Sequence, residues 1–181
     1  MPFVDYKVLR NKYPSGRMSE NIRRLKEFDA FHCLLMGSID RANSVKNHIA
    51  DLPDDFLGWL EVCDGGMLFD TTILTTKPHD VELDLPFETY NGYYDAELRK
   101  GINISDDWFV FAAAIHSDVF FFDLSKKDGQ VYQWDVEEQK IHAAWLTFED
   151  WLTDQINEAV MLIADEQLEP LDVKLEVSGD E

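Results

Sequence analysis

Between residues 108 and 145 the chain passes through four short segments, 108–115, 119–124, 131–136 and 141–145, rich in aromatic and β-branched residues and separated by brief turns. Connections this short leave no room for the crossover that parallel strands require, so these segments form an antiparallel meander. Ser125-Lys126-Lys127-Asp128-Gly129 supplies an Asp-Gly hairpin signal between the second and third. Thr147 then opens a helix with Asp150 three residues on, resembling a capping box, and an apolar stripe of Phe148, Trp151, Leu152, Ile156, Val160 and Ile163.

The first half reads as helices and one more strand. Tyr13-Pro14-Ser15-Gly16 is a turn, after which Ser19 is the expected N-cap of a helix carrying Ile22, Leu25, Phe28 and Phe31 and ending near Gly37-Ser38. A weakly patterned helix is expected over 40–50. In Leu52-Pro53-Asp54-Asp55-Phe56, Pro53 suits a first helical position and the two acids suit the positive end of the helix dipole. Trp59, Leu60 and Cys63 continue that helix's apolar face, and Asp64-Gly65-Gly66 is read as its stop. From Met67 the period changes to two, predicting a strand through Thr75. Residues 77–100 form an irregular crossing, with a short strand near 82–85 and a short helix near 95–100. The class is therefore α+β, an antiparallel sheet of about five to six strands packed against helices.

Composition narrows function by exclusion. With 181 residues, 45% hydrophobic and 13% aromatic, the chain can bury a core without disulfides or metal. It shows no apolar run of transmembrane length and no signal-peptide pattern, so a cytoplasmic location and reduced Cys33 and Cys63 are expected. The 36 acids exceed the 16 bases by 20, which argues against nucleic acid as a partner and against anionic membranes. The imbalance is uneven: residues 1–50 hold nine bases and five acids, whereas 51–181 hold seven bases and 31 acids. An acidic face of that size complements a basic partner, although acidity also serves solubility alone.

No catalytic or cofactor motif emerges. His116-Ser117-Asp118 contains triad residue types, but neighbours on an extended chain point to opposite faces, and no G-x-S-x-G elbow is present. His32, Cys33, His48 and Cys63 lack the spacing of a zinc site. Alternation within His79–Asp84 places Asp80, Glu82 and Asp84 on one strand face, able to meet a cation, a cationic partner or water.

Several motifs, in order, resemble the SUKH superfamily: Leu52-Pro53-x-x-Phe56, Trp59, Asp64-Gly65-Gly66, the aromatic strand closing on Asp123, the Val131-Tyr132-Gln133-Trp134 strand, and Thr147-Phe148-x-x-Trp151-Leu152. The resemblance spans about residues 45–155. Without repeats or linkers the chain reads as a single domain over 1–165 with an N-terminal helical extension (1–45) and an acidic tail at 166–181 carrying a short strand at 173–177. The resemblance implies an α+β fold, an antiparallel sheet packed against helices. It also implies a protein-binding role without a catalytic centre, since many such bacterial proteins are immunity proteins that neutralise a cognate toxin, frequently a nuclease. Other members are adaptors at a membrane translocase or fungal cell-wall regulators.

The expected contact surface is the acidic, tyrosine-bearing stretch of Asp80, Glu82, Asp84, Glu88, Tyr90, Tyr93, Tyr94 and Asp95, bordered by Asp64 and Asp70. Those tyrosines would equally suit packing against the sheet. Two other classes stay open: a regulatory domain sensing a small ligand, and a metal-dependent hydrolase using carboxylates near His79 or His116. No cofactor and no structural metal is expected.

Overall fold

The computed structural model describes residues 3–76, 87, 96–114 and 118–171. Among these, seven strands form one antiparallel sheet in which spatial order follows chain order, so every neighbour is a sequence neighbour. Six α-helices accompany it: α1 (Tyr6–Lys12), α2 (Gly16–Glu27), α3 (Ile39–His48), α4 (Asp54–Leu60), α5 (Ala96–Gly101) and α6 (Phe148–Ala164).

The meander stands where the sequence places it. β4 (Trp108–Ala114), β5 (Val119–Asp123), β6 (Val131–Asp135) and β7 (Lys140–Trp145) pair in succession. The expected strand from Met67 is instead a hairpin of β2 (Cys63–Leu68) and β3 (Thr71–Ile73), turning at Phe69 and Asp70, with Phe69 at φ 57°. β1 (His32–Met36), invisible to periodicity, raises the strand count to seven and pairs with β2. Its first four residues are buried, leaving no alternation to read.

Helix boundaries shift for local reasons. The turn at Tyr13–Gly16 runs directly into α2, so Ser19 lies inside the helix and Ser15 occupies the N-cap. The helix stops at Glu27, and Phe28 and Phe31 flank a 3-10 turn leading into β1. Pro53 sits at the N-cap of α4 rather than its first helical position.

Asp64-Gly65-Gly66 does not terminate α4. That helix ends at Leu60, and the three residues lie within β2, as does Cys63. The glycines are needed there for two reasons. Their φ angles are +86° and +109°, and a Cβ would come within 2.6 Å of the Ile73 and Leu74 carbonyl oxygens at Gly65, or 2.3 Å of the Cys33 carbonyl oxygen at Gly66.

The core is aromatic and centres on Phe56. Its ring lies 5.0 Å from Phe122, 5.3 Å from both Phe111 and Phe148, and 6.3 Å from Phe109. Trp151 of α6 meets Phe111 at 4.9 Å and Phe120 at 5.4 Å. Phe120 and Phe122 thus face the helices, while the intervening Phe121 packs on the other face between Trp108 (4.0 Å) and Tyr132 (5.6 Å). Leu9, Ile22 and Leu25 of α1 and α2 are fully buried in the same core, and α2 binds α6 through Asn21 to Thr153 (2.8 Å) and Arg24 to Asn157 (2.7 Å).

Removing the central ring leaves a void that its rigid aromatic neighbours cannot fill. Phe56→Ala is expected to lower unfolding free energy by about 3–5 kcal/mol, read from the urea midpoint, with Phe56→Leu losing less.

Candidate functional site

The motif residues first resolve into a structural frame. Leu52 is buried, and Asp55, between Pro53 and the core ring of Phe56, spans two helices. Its Oδ2 accepts from the backbone N–H groups of Phe148 (3.0 Å) and Glu149 (3.4 Å), and its Oδ1 accepts from Phe56 N–H (2.9 Å). Two of the unsatisfied donors at the start of α6 are thereby met from α4. Thr147 meets a third, accepting from Asp150 N–H at 3.0 Å, so the expected capping residue is in place. Trp59 and Phe148 meet at 5.9 Å. Trp134 donates its indole N–H to the Ile102 carbonyl (2.8 Å), and Asp123 folds the β5–β6 turn by accepting from Ser125 N–H (3.1 Å) and its hydroxyl (2.6 Å).

Asp64 departs from its expected place beside a partner surface. It is fully buried, paired with Arg41 from α3, and accepts from Thr76 N–H (2.8 Å) and hydroxyl (2.9 Å). A carboxylate committed to these donors holds α3 and the end of the β3 region onto β2 and presents nothing to a partner.

Asp70 lies at the β2–β3 turn. Burial, together with the charges of Asp70 and Asp154, holds the Glu158 carboxyl above its ordinary pKa. These three acids therefore share one electrostatic neighbourhood on α6, a helix with four acids and no base. Asp154 also accepts from the Trp145 indole (3.0 Å), and Arg17 pairs with Glu149 and Asp150 at the helix start. The spacing of Asp150, Asp154 and Glu158, four residues apart, marked this ridge in the sequence. Asp80, Glu82, Asp84, Glu88, Tyr90, Tyr93, Tyr94 and Asp95 lie outside the described residues, as do His79, His116 and Ser117 and the tail from 172.

Among the described residues no group of three or more His, Cys, Asp or Glu side chains is arranged to hold a metal, and no helix is long and apolar enough to cross a membrane. Both thiols are buried and burial pushes both pKa values up, so neither is an activated nucleophile. Asp118 is occupied by Gln133 Nε2 (3.0 Å) and Val136 N–H (3.3 Å).

Two outcomes follow. Asp55→Ala is expected to cost about 1–2 kcal/mol in chemical denaturation, because it uncaps α6. Glu158 binds its proton more tightly folded than unfolded, so its ionisation weakens folding above its folded pKa, and the cost disappears as pH falls toward 4.5. Glu158→Gln should accordingly raise the melting temperature at pH 7 but not at pH 4.

The model of the SMI1 / KNR4 family (SUKH-1) matches residues 46–154, from the end of α3 into α6. No curated protein matches the chain. The match covers the Leu-Pro turn, the Asp-Gly-Gly strand, the whole meander and the capped start of α6, and the chain belongs to the SMI1 / KNR4 family.

Proposed function

We propose that this chain is a non-catalytic, cytoplasmic protein-binding domain, an immunity protein that neutralises a basic toxin, of which a nuclease is the leading kind, by covering it with an acidic surface. The observation that carries the reading is the acidic ridge of Asp70, Asp154 and Glu158, where burial and then the neighbouring charges of Asp70 and Asp154 raise the Glu158 pKa. A cationic surface laid on this ridge relieves the repulsion, and the net charge of −20 steers such a partner in from a distance. Family membership supports a protein partner. A nuclease presents positive charge to its phosphate substrate, so an acidic cover competes for the same surface. The acidic and tyrosine-bearing residues Asp80, Glu82, Asp84, Glu88, Tyr90, Tyr93, Tyr94 and Asp95 are the second portion of the proposed interface.

The test starts with affinity capture from the source cells at low and high salt, and continues with binding kinetics on the captured protein. One basic protein, recovered at low salt and lost at high salt, is the expected result. Its association rate should fall about tenfold with Asp154→Lys/Glu158→Lys, and separately with Asp80→Lys/Asp84→Lys, with a flatter salt dependence in each. Rates unchanged by both pairs of reversals would reject the acidic surfaces as the means of recognition.

A further inference from the structure

The two edges of the sheet are finished differently. At β1 the N-terminal arm closes the outer side: Phe3 bridges Leu35, and the Val4 N–H donates to the Leu34 carbonyl (2.9 Å). β7 ends the sheet on the other side, and among the described residues its outer backbone groups have no protein partner. Such an edge is a template on which another extended chain can add as a strand. Lys140 and the bulge at His142 guard its first half, as edge strands are commonly guarded. Ala143, Ala144 and Trp145 form the rest, and Leu146 beyond them is 72% exposed.

Directly paired residues point to the same face, so the register assigns the two sides of β7. Ala143 and Trp145 pair with Gln133 and Val131, which pair in turn with Phe120 and Phe122, the rings that face the helices. Trp145 accordingly reaches α6, donating its indole N–H to Asp154 (3.0 Å). Ile141 and Ala144 pair with Trp134 and Tyr132 on the opposite face, and both are exposed. An added strand therefore meets the acids of α6 on one side and apolar side chains on the other. Between Glu138 and Glu149 the chain has no acid, so this edge can be covered without burying a carboxylate. A second copy of the chain is a poor occupant. Two-fold pairing of β7 with itself places both α6 helices on one face and sets their acids, Asp150 and Asp154, against one another.

Resting on the reading of this chain as the binder of a basic protein, we propose that β7 takes up an extended segment of that partner as an eighth strand, with basic residues of the segment directed to Asp154 and apolar ones to Ile141 and Ala144. Backbone hydrogen bonds supply affinity that is indifferent to sequence, and the alternation of basic and apolar side chains selects the segment.

The full-length protein, labelled with ¹⁵N, is titrated with an end-capped peptide of alternating lysine and valine, six residues long to match β7. Two further forms of the peptide are N-methylated, one at every lysine and one at every valine, which removes the hydrogen-bond donors from one edge or the other. The expected result is saturable amide shifts within 140–146, together with slowed hydrogen exchange at alternate β7 amides. One N-methylated form should keep its binding and the other lose it, because a single edge of the peptide pairs with β7. Asp154→Asn keeps an acceptor for the Trp145 indole, removes the charge, and should weaken the parent peptide about fivefold. Absence of saturable shifts, binding that leaves β7 exchange unchanged, or equal affinity of the two N-methylated forms would each overturn strand addition. Any of these leaves the acidic ridge to be judged by its own charge reversals on the captured partner. Conversely, peptide pairing at β7 beside capture kinetics indifferent to those reversals rejects the ridge and retains the edge.

Discussion

The contact that organises this domain is the one Asp55 and Phe56 make with the start of α6. Asp55 supplies hydrogen-bond acceptors to Phe148 and Glu149, while Phe56 places its ring against Phe148 and the sheet rings Phe111 and Phe122. Polar and apolar specification thus coincide within two adjacent residues. An N-terminus of α6 shifted by one residue would lose both the cap and the ring contact, so α4 fixes the register of α6 on the sheet. Because α6 is also the helix on which α2 packs, the placement of the N-terminal helices depends on the same contact.

The second constraint is at the other end of the sheet. Gly65 and Gly66 let β2 approach the backbones of β1 and of the chain after β3 more closely than a Cβ permits, and Asp64 beside them anchors Arg41 and Thr76. In a chain so rich in acids, this one acts inward. Burying a carboxylate is tolerable only with full hydrogen-bonding and an opposite charge, both present here. Close backbone packing and the ion pair reinforce one another, since the approach of the strands excludes the water that would weaken the pair.

Which parts were legible in the sequence follows from how local their causes are. The meander and α6 were readable because aromatic and β-branched enrichment between brief turns, the Asp-Gly signal and the Thr147 cap are properties of adjacent residues. β1 was not, because His32-Cys33-Leu34-Leu35 is buried on both faces and a continuous apolar run fits helix or strand. Asp64-Gly65-Gly66 was misread because a glycine pair after a helix is the ordinary C-cap signal, whereas its real cause lies in carbonyl oxygens of Cys33, Ile73 and Leu74, remote in sequence. Asp64 was placed outside for the same reason, since its partner Arg41 is 23 residues away. His32 was weighed as a zinc ligand with Cys33. Its Nε2 is held instead by the Leu25 carbonyl and the Tyr6 hydroxyl, which only the fold brings to the ring.

The acidic ridge on α6 bears on whether acidity here serves solubility or recognition. At the first turn Glu149 and Asp150 are favoured by the helix dipole and by Arg17, so their presence has a structural cause. Asp154 accepts from the Trp145 indole, whereas no ion pair or cap among the described residues accounts for Glu158. Asp154 and Glu158 continue a four-residue spacing from Asp150, an arrangement in which like charges repel along the helix, and Asp70 adds to the repulsion from the β2–β3 turn. Solubility alone is met by net charge spread over the surface and does not require acids stacked where they weaken the fold. On the proposed function, a cationic partner would convert that repulsion into attraction, and the cost at Glu158 in the free protein would become part of the driving force for association.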